Sequence, residues 1–270
     1  MNYTLKIGWL YPELMSTYGD RGNIIVLTKR CEWRGINVTI VPIDFSTTNQ
    51  ELRTINLIFG GGAQDRQQSI LIDDLRKHKG PVLKDMINYG IPGLFVCGSP
   101  QLLGHYYMTG EGEKLEGLGI FDMVSKHFGK IKPRCIGNMV GSLCHPEEFY
   151  DEGSHDHKGG PSASSGRRRI TVVGFENHGG RTYLGKGVQP FAKVLVGNGN
   201  NGEDGTEGAV YNNCIATYSH GPFLPKNPHI ADWLIAKALE VKYKKVIPLT
   251  LLDDTLELQA HDFMLKRLSV

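Results

Sequence analysis

The chain has 270 residues, 40% of them hydrophobic and 21% charged, with a formal net charge of +2. That length suits one large α/β domain with a sizeable core, the near-neutral balance gives no electrostatic case for nucleic acid, and no apolar run approaches the ~20 residues of a transmembrane segment. Five cysteines without a Cys-x-x-Cys pair, and an N-terminus with no basic segment leading into a long apolar core, argue against a secreted disulfide framework and for the cytoplasm.

Apolar spacing predicts a first strand over residues 5–10, a helix over 23–34 and strands over 36–41 and 57–59. The third of these strands runs into Gly60-Gly61-Gly62-Ala63-Gln64-Asp65. Consecutive glycines there can turn backbone N–H groups into a concave anion site, and ligands of open α/β sheets gather at the carboxyl ends of strands. An ordinary strand-to-helix turn has the same composition.

Helices over 67–77 and 81–89 lead to a strand over 94–96, which breaks at Cys97-Gly98-Ser99-Pro100-Gln101 before a helix over 101–107. A tight turn at the end of a strand displays a side chain, and the following helix aims its N-terminal N–H groups at the sulfur, which favours thiolate. Gly98 lets the backbone approach a carbonyl closely, so its N–H is a candidate oxyanion donor. A lone cysteine can equally be a small core residue, the reading given to the other four.

The second half is richer in strand-like runs, over 121–124, 139–143, 170–175, 194–196 and 214–219. Two of these lead to histidines beside glycine, His178 and His220, and either suits a general base that takes a thiol proton and returns it to a leaving amine. A helix over 227–241 and an amphipathic stretch over 253–268 complete the chain. The alternation predicts a mainly parallel sheet with helices on both faces, in one domain over 1–245 followed by a helical tail over 246–270.

Residues 150–169, ending in Arg167-Arg168-Arg169, read as a flexible insertion. His145, His155 and His157 beside Cys144 are better taken as a solvated loop than as metal ligands, and no metal site is expected. Gly197 to Gly202 has G-x-G-x-x-G spacing, but Asn, Asp and Gly continue where a helix should begin, so dinucleotide binding is discounted.

Taken together, Tyr18-Gly-Asp-Arg-Gly-Asn23, Gly60-Gly-Gly-Ala-Gln-Asp65, Cys97-Gly-Ser-Pro-Gln101, Gly174-Phe-Glu-Asn-His178, Gly197-Asn-Gly-Asn-Asn201 and Ser219-His-Gly-Pro222 resemble class I (triad-type) glutamine amidotransferases. The branch is the one that includes cobyric acid synthase glutaminase domains, and within it the glutaminase subunits of lipid II isoglutaminyl synthase. The resemblance implies a Rossmann-like, flavodoxin-like α/β fold. It further implies hydrolysis of L-glutamine at Cys97 with His220 as base, Gly61 and Gly98 as oxyanion donors, and Arg134 and Gln101 as substrate-binding residues, leaving His178 beside the site. Ammonia would pass to a MurT-type ligase that amidates the D-glutamate α-carboxylate of the lipid II stem peptide. No cofactor is expected in this chain, with ATP and Mg on the ligase. A glutaminase for a cobyrinic-acid-type ligase, or a scaffolding subunit, would keep the same fold.

Two departures from the family pattern stand out. Class I enzymes place a glutamate two residues beyond the histidine, and this chain has Pro222 there, which suggests a Cys–His dyad whose orienting carboxylate comes from the partner. The turn also carries Phe95, Ser99 and Pro100, and the bulky Phe95 needs room beneath it.

Overall fold

A computed structural model describes residues 2–145, 147 and 170–270; the predicted insertion, with His155 and His157, lies outside the described residues. The strands in chain order are β1 (Thr4–Leu10), β2 (Asn37–Ile43), β3 (Leu57–Gly60), β4 (Gly93–Val96), β5 (Tyr106–Met108), β6 (Lys114–Glu116), β7 (Met123–His127), β8 (Cys135–Leu143), β9 (Thr171–His178), β10 (Gly180–Leu184), β11 (Ala192–Val196), β12 (Thr206–Glu207), β13 (Ala209–Tyr211) and β14 (Cys214–Thr217). The helices used below are α1 (Arg21–Glu32), α2 (Asn49–Leu52), α3 (Asp65–Asp74), α4 (Gly80–Asn88), α5 (Gly98–Leu103), α6 (Pro228–Tyr243) and α7 (Thr255–Arg267).

The central sheet runs β13-β14-β4-β3-β1-β2, parallel throughout except for the edge strand β13. Its middle strands are apolar on both faces because helices cover both. Leu57, Phe59, Leu94, Val96 and Ile215 pack with Ile24, Leu27, Ile230 and Leu234 of α1 and α6, whereas Ile58, Phe95 and Ala216 point the other way, toward Leu71, Leu83 and Met86 of α3 and α4. This is the doubly covered parallel sheet expected from the alternation.

Two four-stranded sheets, β10-β7-β5-β6 and β12-β11-β8-β9, add antiparallel pairing that the sequence pattern only partly announces. The helix expected over 101–107 starts earlier, at Gly98, and stops at Leu103, because residues 106–108 pair with β6 and β7 as a strand. The helices expected over 67–77 and 81–89 are not separated by a loop; a π-helical turn over Leu75–Lys79 joins them, with Pro81 in the first turn of α4.

One ionic clamp ties the chain's ends together. Arg30 of α1 is 1% exposed and grips two carboxylates bidentately, Asp232 of α6 at 2.6 and 2.7 Å and Asp254, just before α7, at 2.6 and 2.9 Å. Arg34 makes a second fork on Asp232 at 2.9 and 2.7 Å. His261 of α7 bridges the Lys226 carbonyl and the Thr171 hydroxyl, so the tail is docked on the core.

A buried guanidinium that loses its carboxylate keeps its desolvation cost without the attraction that offset it. Because Asp232 is partly exposed, Asp232→Ala is expected to lower the unfolding free energy in a denaturant titration by about 2–3 kcal/mol. Asp73→Ala, at an exposed pair with Lys77, should leave it nearly unchanged in the same titration.

Candidate active site

Three strands of the central sheet end side by side, and each delivers one part of a site. β4 is buried along its whole length and stops at Cys97, whose φ of +53° and ψ of −95° lie outside the usual range of an L-residue. Such strain persists only where the surroundings enforce it. Here the Cys97 N–H donates to the Thr217 carbonyl of β14 at 2.8 Å, and Ser99 Oγ donates to the Gly61 carbonyl at 2.6 Å. A Cβ on Gly98 would stand 2.6 Å from the Ala63 nitrogen, so only glycine fits between the turn and the loop after β3.

The room that Phe95 needs is made by glycines on either side. A Cβ on Gly93 would meet its ring at 2.7 Å and one on Gly60 at 3.1 Å, while Phe121 packs on it edge-to-face. Pro100 sits in the first turn of α5, where a missing N–H has no helical partner to lose.

His220 follows β14 and is fully buried, held by paired backbone hydrogen bonds with Phe175 of β9. Its Nδ1 is 3.2 Å from Oδ1 of Asp20, itself fully buried, and Nε2 is buried without a hydrogen-bond partner, with the Cys97 sulfur near enough to act on the ring's charge. The Asp20 Oδ2 accepts the Gly62 N–H at 2.6 Å. Gly62 marks the point of convergence: a Cβ there would lie 2.9 Å from His220 Cε1, 3.2 Å from Asp20 Oδ2 and 3.5 Å from Cys97 Cβ.

Asp20 corrects the expectation that the chain holds only a dyad. The loop after β1 curls back over the glycines, where the Thr17 N–H and hydroxyl both donate to the Gly62 carbonyl, and this sets Asp20 at the start of α1 against the histidine. Pro222, where class I enzymes place their glutamate, packs on α1 instead. A Cβ on Gly22 would meet its ring at 2.4 Å. The signal was present in Tyr18-Gly-Asp-Arg-Gly, an acidic residue at the head of a helix ten residues beyond β1, but an aspartate before a helix also has an ordinary capping role.

Burial opposes charge on the His220 ring, yet attraction to the Cys97 sulfur and the bond to Asp20 outweigh it and raise its pKa to about 10. A raised pKa means that the folded chain holds this proton better than the unfolded one. The resulting stabilisation is complete below the ordinary histidine value and is lost as pH rises through about 10.

The other expected residues are placed as follows. Gly61 packs against the Met15 carbonyl, and Gly98 faces Ala63. Gln101 is buried, its Oε1 accepting from Gln68 at 2.8 Å and its Nε2 donating to the Tyr218 hydroxyl at 3.0 Å, which leaves one N–H and one lone pair. Arg134 is exposed at the start of β8, with its Nε and Nη2 on Asn177 at 3.0–3.2 Å. His178 is held by the Gly180 carbonyl at 2.7 Å and stacks on Tyr218 with 3.8 Å between centroids. Tyr18 closes the other side, its ring edge-to-face with His220 at 5.1 Å.

The arrangement is a strained thiol, a histidine able to take its proton, a carboxylate fixing that histidine, and a glycine loop with backbone N–H groups close by. It fits nucleophilic attack on a carbonyl carbon, followed by protonation of the leaving group.

Comparison with known proteins agrees. Residues 6–228 match the CobB/CobQ-like glutamine amidotransferase domain. The chain is 37% identical over 265 residues to the GatD subunit of the glutamine-hydrolysing lipid II isoglutaminyl synthase of Staphylococcus aureus, covering 98% of this chain and 96% of that protein. It is also 37% identical over 254 residues to the GatD subunit of Streptococcus pneumoniae, covering 94% and 88%. In fold it is similar to the glutaminase domain of Trypanosoma brucei CTPS with bound acivicin, at a TM-score of 0.53 and 12% identity, covering 91% and 96%.

The pairing at His220 can be read by NMR titration of its ring. The midpoint should fall when Cys97→Ala removes the sulfur, when Asp20→Asn removes the carboxylate, and when Gly62→Ala forces the three apart; a midpoint indifferent to all three would refute the arrangement.

Proposed function

The chain belongs to the CobB/CobQ-like glutamine amidotransferase family, and from that premise we propose that it is the glutaminase subunit of a lipid II isoglutaminyl synthase. The observation that carries this reading is the meeting of Cys97, His220 and Asp20 around Gly62, in a chain similar to two GatD subunits along nearly its whole length.

On this reading His220 already holds the proton of the Cys97 thiol, as its raised pKa requires, and the sulfur attacks the side-chain carbonyl carbon of L-glutamine. The carbonyl oxygen becomes an oxyanion, stabilised by the backbone N–H groups of Gly98 and Gly61. Collapse expels the amide nitrogen, which receives its proton from His220 and departs as ammonia. Water, deprotonated by the same ring, then attacks the thioester carbon to give glutamate and free Cys97. Asp20 keeps Nδ1 protonated and Nε2 aimed at the sulfur throughout, and stabilises the imidazolium that forms at each step.

Arg134 is the residue suited to the substrate's α-carboxylate, since a planar guanidinium pairs with carboxylates in a two-pronged way. Gln101, through the N–H and lone pair left to it, lies behind the reacting centre. The ammonia goes to a MurT-type ligase that activates the D-glutamate α-carboxylate of the lipid II stem peptide with ATP and Mg, and glutamine hydrolysis in this chain uses no cofactor. Among the described residues no helix is long and apolar enough to cross a membrane. The place of action is the cytoplasm, where glutamine and ATP are at hand.

With Asp20 in the same chain, the partner is not required to complete the relay. The isolated chain should therefore be alkylated by a glutamine-mimicking diazo-ketone at Cys97 alone, with protection by glutamine. Asp20→Asn should lower kcat for glutamine hydrolysis by about 10²- to 10⁴-fold with KM nearly unchanged, and Cys97→Ala should abolish it. Mixed with a MurT-type ligase, ATP and lipid II, the wild type should yield the amidated stem peptide by mass spectrometry. Labelling without lipid II amidation would point to a different acceptor.

A further inference from the structure

We propose that Cys135, Glu176 and His178 form a binding site for one divalent transition-metal ion of the zinc type, built on one face of the β8–β9 ribbon. Cross-strand register carries the first part of the argument. Cys135 stands directly opposite His178, and Glu176 stands opposite Gly137. Residues two apart on a strand share a face. The three side chains therefore converge, and Gly137 leaves the position across from Glu176 without a side chain. One ligand atom from each residue lies within 4.8 Å of the other two, and the residues are only 1–2% exposed.

Two atoms in this group are orphaned. His178 Nε2 and Glu176 Oε2 are buried without a hydrogen-bond partner, facing each other at 3.5 Å without the alignment a hydrogen bond needs. The partner of His178 Nδ1 is the Gly180 carbonyl, which has no proton to give, so Nδ1 carries the proton and Nε2 of the neutral ring presents a lone pair. An Nδ1–H bond to a carbonyl is also the support that orients metal-bound histidines. Burial lowers the His178 pKa, which favours that neutral form. The second oxygen of Glu176 already accepts the Asn198 N–H at 2.6 Å, which fixes Oε2 toward the histidine.

Two buried lone pairs aimed at each other call for a positive charge between them. A shared proton would serve Glu176 and His178 only, whereas a divalent ion serves Cys135 as well. The spacing suits it: zinc bonds of about 2.0–2.1 Å to nitrogen and oxygen put tetrahedral neighbours about 3.3 Å apart, close to the 3.5 Å seen here. A thiolate, an imidazole and a carboxylate select zinc or cobalt over magnesium or calcium, which prefer all-oxygen sites.

Burial pushes the Cys135 thiol up to about 11, so binding displaces its proton: Cys–SH and M²⁺ give Cys–S–M and H⁺. Arg181, whose Nη1 and Nη2 bond to the carbonyls of Asn201 and Pro133, favours the sulfur anion. The ion would pin the ends of β8 and β9 beside Arg134 and behind the His178–Tyr218 stack. This inference is independent of the glutaminase reading.

The probe is Co²⁺ added to the full-length chain carrying Cys97→Ala and Cys144→Ser, so that the active-site cysteine and the partly exposed one are both absent. One equivalent should bind with a sulfur-to-cobalt charge-transfer band and the visible bands of tetrahedral cobalt, and Zn²⁺ should displace it. Adding Cys135→Ser should remove the charge-transfer band, and adding His178→Gln should weaken binding by about 10- to 100-fold. Glu176→Gln keeps the shape of the side chain and should weaken it at least about 10-fold, which covers the case in which the other variants do not fold. Absence of the band in the folded protein carrying Cys97→Ala and Cys144→Ser overturns the proposal, as does a band that survives Cys135→Ser or an affinity indifferent to Glu176→Gln.

Discussion

The carboxylate of Asp20 is the constraint on which the site depends. One oxygen meets the imidazole of His220 and the other the Gly62 N–H, so a single side chain fixes the ring and the glycine loop relative to each other. Both charged partners are fully buried. In that setting an ion pair keeps its strength only if the geometry holds and the remaining lone pairs are met. The loop after β1 supplies the geometry through Thr17, and Gly62 supplies the lone pair's donor.

The surrounding glycines follow from this close approach. At positions 60, 62, 93 and 98, a Cβ would strike Ser99, His220, Phe95 or Ala63, respectively. Side chains that would line an ordinary strand-to-helix turn are absent, so that backbone, sulfur and imidazole occupy the space of one missing methyl group. The strain at Cys97 is held by the same crowding, with Thr217 gripping its N–H from one side and the Ser99–Gly61 bond locking the next turn from the other. Beneath β14, the buried Glu207 accepts the Thr217 hydroxyl at 2.5 Å and the Tyr218 N–H at 2.9 Å. The strand that carries His220 is thus fastened from below.

What the sequence made legible was the set of strand ends. Apolar runs breaking into glycine mark the carboxyl edge of a parallel sheet, and Cys97 and His220 both stand on such edges. Asp20 was hidden because its partner is distant in the chain and because aspartate before a helix needs no special explanation. Pro222 looked like a missing group, since sequence shows what replaces a residue but not what arrives from another element. Short strands such as Tyr106–Met108 and Thr206–Glu207 hold too few residues for a period of two to emerge. The grouping of Cys135 with Glu176 and His178 was equally invisible, because it exists only in the register between β8 and β9.

Asp20 and His220 are 200 residues apart, and the clamp at Arg30 reaches further still, to Asp254. During synthesis the cysteine leaves the ribosome long before its base does, and the base before the segment that secures the helix behind Asp20. A chain cut short before residue 220 lacks the imidazole that meets Asp20 beside Gly62 in the complete fold. The site is therefore assembled only after the chain has been made as far as His220, and the clamp behind Asp20 only after Asp254.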